Sequence, residues 1–96
     1  MSKVLVRGVN APDNAEVLSD SEFIDVCYNT MIDVALSLKD CTETGEVLDA
    51  LSDILELSNA VLQKENISAA NLFAHAAERR SQEGTFMDKK AVNKEQ

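Results

Sequence analysis

The segment EVLDALSDILELS, Glu46 to Ser58, sets four carboxylates at i, i+3, i+7 and i+10: Glu46, Asp49, Asp53 and Glu56. On a helix these fall within an arc of about 80°. That spacing admits two chemistries. It is the solvated face of an amphipathic helix, or it supplies hard oxygen donors to a divalent cation. Glu22, Asp25, Asp40, Glu46 and Glu56 read as solvated face. Asp53 sits at the margin of an apolar stripe, near Ala50 and Leu57, and Asp33 lies beside Ile32 and Leu36. Residues at such margins can face a cleft between helices. Magnesium keeps several waters and often takes one or two protein carboxylates plus substrate phosphates, so two facing aspartates could suffice.

The cations gather elsewhere. Arg79 and Arg80 end a helical stretch, where positive charge suits the helix dipole. With Lys89 and Lys90 they are also candidates for binding phosphate. An acidic body with a basic tail could hold a metal and the phosphates of a small ligand at opposite ends of one pocket. Nucleophilic catalysis has no support, because the single histidine, His75, has no triad partner in view. Gly8, Gly45 and Gly84 are isolated, so no glycine-rich phosphate loop exists. Cys27 and Cys41 are too few for a disulfide framework and lack zinc spacing; both read as reduced thiols.

The elements that must position these groups are helical. Ser19 and Glu22 form a capping-box pattern, and Leu18 can staple onto Phe23. Phe23, Val26, Cys27, Met31, Val34 and Leu38 then recur at helical spacing over about 20–39. DCTETG breaks the pattern, and Thr42 or Thr44 can cap a second helix over about 44–64. Its apolar arc includes Val47, Ala50, Leu51, Ile54, Leu55 and Val61. Ser68 can cap a third helix over about 68–82, with Leu72, Phe73, Ala76 and Ala77 inward. Gly84 stops it, and Phe86 is a candidate anchor. The fold class is all-α: a small helical bundle, with an arm over 1–18, a helical domain over 19–86 and a polar basic tail over 87–96.

Ninety-six residues make one small domain with a modest core, and the absence of tryptophan makes that core aliphatic. The net charge of −8 argues against binding nucleic-acid polymers, whose phosphates need clustered Lys and Arg. No stretch is apolar enough for a membrane span or a secretory signal, so a cytoplasmic location is expected.

The order of several pieces carries a resemblance. KVLVR, a capped acidic helix, DALSDILELSNAV, ENISAANLF and AERRSQEGTFMDKKAV follow one another over nearly the whole chain. Together they resemble the MazG-like all-α nucleotide pyrophosphohydrolases, in particular the short phosphoribosyl-ATP pyrophosphohydrolase-like branch. The resemblance implies a MazG-like fold, magnesium held by carboxylates from two helices, and water attack between the α and β phosphates of a nucleotide. It also implies dimers or dimers of dimers. This chain departs at the ligand positions. Asp33 survives as an acid in the first helix, among Val34, Leu36 and Ser37. Asp53 matches the aspartate of the second motif, but its glutamate is Ala50, with Asp49 one place off. Gly8 stands where an acid follows Leu-Val-Arg.

The expected metal ligands are thus Asp33, Asp49 and Asp53, with magnesium binding weak or lost. The expected phosphate-binding residues are Arg79, Arg80, Lys89 and Lys90. The expected function is binding of a phosphorylated nucleotide, sequestering or sensing it, without efficient hydrolysis. An active magnesium-dependent pyrophosphohydrolase is the first alternative, and a structural helical oligomerisation module the second.

Overall fold

Helix start and stop signals in this chain are strong, and the backbone follows them. The computed structural model describes residues 3–94. Helix α1 spans Asp20–Ser37 and tightens into a 3-10 turn at Leu38–Asp40. Helix α2 spans Thr44–Lys64 and helix α3 spans Ala69–Glu83. No strand occurs among the described residues, so the fold is all-α as expected. No helix among them is long and apolar enough to cross a membrane.

Local chemistry fixes the ends. The Ser19 hydroxyl accepts from the Glu22 amide at 3.3 Å, and the Ser68 hydroxyl accepts from the Asn71 amide at 3.1 Å. Each satisfies a donor that the first helical turn leaves unpaired. Helix α2 starts where expected, but its cap differs. Glu43 occupies the N-cap, and neither threonine does. Glu46 reaches back instead: its Oε1 accepts from the amides of Thr42 and Glu43 and from the Thr42 hydroxyl. These bonds favour the charged form and hold the Glu46 carboxyl below its ordinary pKa. One of the four acids of the opening segment is therefore a cap. Helix α2 ends where Asn66 enters the left-handed region at φ 56, and α3 ends at Gly84 with φ 84.

The chain divides into two compact units, Met1–Asn66 and Ile67–Gln96. In the first, α1 and α2 pack against each other across the short connection at residues 38–43. The Cys27 thiol is fully buried and donates to the Leu57 carbonyl at 3.4 Å. Ile24, Val26, Cys27 and Thr30 of α1 and Ala50 of α2 are the buried residues. Ile24 and Thr30 replace Phe23, Met31, Val34 and Leu38 of the expected core stripe, which are only partly covered. Leu51 and Leu55 are about half exposed, although the apolar periodicity of α2 places them inward. Both cysteines are free thiols.

The second unit holds α3 and the segment after it. None of its described residues is buried. Leu72, Phe73, Ala76 and Ala77 are exposed, not inward, and Phe86 is 98% exposed and anchors nothing. One helix has no second helix in its own unit against which to bury a stripe.

Candidate functional cleft

The arm belongs to the first unit and is tied down at three levels. Lys3 pairs with Glu16 at 3.0 Å and with Glu22 at 3.4 Å. The Leu5 amide donates to the Thr30 hydroxyl at 2.9 Å, and that hydroxyl donates to the Val26 carbonyl at 2.7 Å. Thr30 is buried, so the arm's backbone is bonded directly into the face of α1. Two residues on, Arg7 reaches across to α2. Its Nη2 lies 2.8 Å and its Nε 3.0 Å from Oδ1 of Asp53, and Nη2 donates to the Ser52 hydroxyl at 3.4 Å. A 3-10 turn at Gly8–Asn10 then carries the chain away.

These contacts enclose a cleft of about 420 Å³ between the arm, α1 and α2. Its polar side chains are Arg7, Asn10, Thr30, Asp53 and Glu56. Phe23, Val34 and Leu57 supply apolar surface. All lining residues lie in the first unit. One guanidinium faces two carboxylates there. The hydrogen bond to Asp53, followed by the field of Asp53, Glu56 and Asp49, raises the Arg7 pKa further above its ordinary value. The pair is half exposed, so its contribution to stability is small. It brings both partners together at the cleft wall.

Asp53 lines the cleft, whereas Asp33 and Asp49 are exposed and do not. Val34 takes the cleft position beside Asp33. Among the described residues, no group of three or more His, Cys, Asp or Glu side chains is placed to hold a metal ion. Magnesium requires near-octahedral oxygens at about 2.0–2.1 Å. Of the three expected ligands only Asp53 lines the cleft, and its Oδ1 receives two guanidinium bonds. Arg79, Arg80, Lys89 and Lys90 belong to the second unit. Arg79 is engaged within α3, with Nε and Nη2 at 3.0 and 3.2 Å from the Glu83 carboxylate. The other three are exposed.

Spacing does not mark Arg7, Asn10 or Thr30 as site residues, and Glu56, expected on the solvated face, lines the cleft. The signal that could have exposed Arg7 is charge balance: a helix face bearing Asp49, Asp53 and Glu56 calls for a cation, and the arm offers one beside its apolar alternation.

Fold and cleft together define an all-α protein whose arm and first two helices enclose a small mixed polar and apolar site. No protein family, curated protein or solved structure matches the chain.

Proposed function

We propose that the arm-lined cleft binds a phosphorylated nucleotide, sequestering or sensing it without efficient hydrolysis, on a scaffold akin to the MazG-like pyrophosphohydrolases. The observation that carries this is the Arg7–Asp53 pair. Asp53 is the acid that aligns with the second motif's aspartate, and its carboxylate is neutralised from within the chain. A divalent ion at Oδ1 would have to displace a guanidinium held by two nitrogen–oxygen bonds, and one at Oδ2 would sit beside that positive charge. Ala50, at the place of the motif's glutamate, is packed between α1 and α2. Cation-dependent chemistry on a triphosphate needs oxygens at both places.

The test is a panel of nucleoside triphosphates with magnesium, followed in parallel by calorimetry and by product release. Micromolar binding with negligible turnover is expected. Clear turnover that disappears in Asp53→Ala would replace this proposal with an active pyrophosphohydrolase. A complete lack of binding would favour a structural helical module.

Self-association accompanies the proposal. Ile32 and Leu36 of α1 and Leu48 and Leu55 of α2 are each more than half exposed. Apolar exposure on that scale marks association surfaces. Light scattering should report at least a dimer, and a monomer at working concentration would remove this part.

A further inference from the structure

The cleft's chemistry also bears on which end of a nucleotide it would take, a question that rests on the nucleotide-binding proposal above. Arg7 and Asp53 do not exhaust each other. Their contacts use Nε and Nη2 of the guanidinium and Oδ1 of the carboxylate. Neither Nη1 nor Oδ2 takes part in them. A guanidinium carries five N–H donors in a rigid fork, and a carboxylate oxygen accepts through two lone pairs. Nη1 and Oδ2 therefore remain as a donor and an acceptor of the pair at the cleft wall. Edges of nucleobases present the complementary pattern, a carbonyl or ring nitrogen beside an N–H group. Asn10 adds an amide with both functions. Phe23, Val34 and Leu57 provide apolar surface for the ring faces.

Charge points the same way. Glu56 shares the cleft with Asp53, and Asp49 contributes to the field at Arg7. With its one guanidinium already bound to a carboxylate, the cleft opposes the entry of phosphate anions. A neutral heterocycle meets no such repulsion. The volume lies within the range of about 300–1,000 Å³ typical of small-molecule sites. We infer that the cleft recognises the nucleobase end of its ligand, with Arg7 and Asp53 reading the base edge and the phosphates left outside. Arg7 thus takes the role of counter-charge to Asp53, and affinity is independent of both phosphate number and divalent cation.

Calorimetry on the full chain tests this with uridine, cytidine, adenosine and guanosine. The mono- and triphosphates of each base are titrated as well, with magnesium or with EDTA. Tripolyphosphate serves as the phosphate-only probe. At least one nucleoside should bind with a Kd within about threefold of its triphosphate, since charged phosphates left in solvent add little. EDTA should leave both unchanged, and tripolyphosphate should not compete. Asp53→Asn, which keeps the side-chain shape but changes its donor pattern, should weaken nucleoside binding about tenfold and alter base preference. Its circular dichroism should remain that of the wild type. Triphosphate and tripolyphosphate binding without nucleoside binding would overturn the inference while leaving the nucleotide-binding proposal standing. Affinity that climbs steeply with phosphate number or magnesium would do the same. Failure of every nucleoside and nucleotide to bind would overturn both.

Discussion

Ala50→Glu should destabilise the first unit by about 3 kcal/mol, the cost of burying an unpaired carboxylate. Ala50 is 7% exposed and is the one buried residue of α2 among those described, and α2 packs against α1. The substitution adds four heavy side-chain atoms and a charge to a contact built for a methyl group. Small domains have only about 5–15 kcal/mol in total, so a loss of this size is a large share of their stability. Urea denaturation of the variant beside Asp49→Glu checks it. Asp49 is exposed on the same helix, and its conservative change should stay within about 0.5 kcal/mol. Equal stability of the two variants would mean that Ala50 does not face α1 as the structure has it. The result matters for function, because Ala50 holds the place where the family resemblance expects a glutamate ligand. Ala50 is buried, so an acid introduced there should not create a metal site.

Thr30→Val should release the arm. The Thr30 hydroxyl accepts from the Leu5 amide and donates to the Val26 carbonyl, and valine keeps the shape while removing both bonds. The cost is about 1–2 kcal/mol, mainly from the stranded Leu5 N–H. Hydrogen exchange gives the more specific readout. The Leu5 amide should lose its protection, because it has been uncoupled from a buried group on α1. Ligand binding should weaken as well, since Arg7 and Asn10 reach the cleft from the same arm. Thr30→Ser retains the hydroxyl and should keep the Leu5 amide protected. Unchanged exchange in Thr30→Val would show that the ion pairs of Lys3 and Arg7 hold the arm without the threonine.

The two outcomes bear on different levels of the same site. Ala50 concerns how α2 is oriented against α1, and Thr30 concerns where the arm lies. The cleft needs both, because Asp53 and Leu57 come from the helix and Arg7 and Asn10 from the arm. The Arg7–Asp53 pair is too exposed to impose this arrangement energetically. The buried Thr30 hydroxyl and the α1–α2 contact must set the geometry, and the pair then completes it.

Much of the backbone was legible in the residue order. Ser19, Ser68 and Gly84 mark helix ends through bonds or dihedral preferences that act within a few residues, and the structure places the ends beside them. The cap of α2 was harder to read. Glu43 and the two threonines compete for one turn, and the reach of Glu46 back to Thr42 and Glu43 settles it. Burial was less legible than helicity. Periodicity marks an apolar face, but it does not say whether a partner exists to cover that face. Leu72 and Phe73 satisfy the spacing and remain exposed. Thr30, a polar residue, is buried instead, because a backbone amide from far along the chain satisfies its oxygen.

The sequence by itself determined three helices, their ends and the acidic face of α2, because caps, glycine and helical spacing are local properties. Only the tertiary structure decided what that acidic face does. Arg7 and Asp53 lie 46 residues apart, and their meeting depends on how the arm docks on α1 and how α1 packs on α2. No spacing rule carries that information, since electrostatic pairing depends on distance in space and not on separation along the chain.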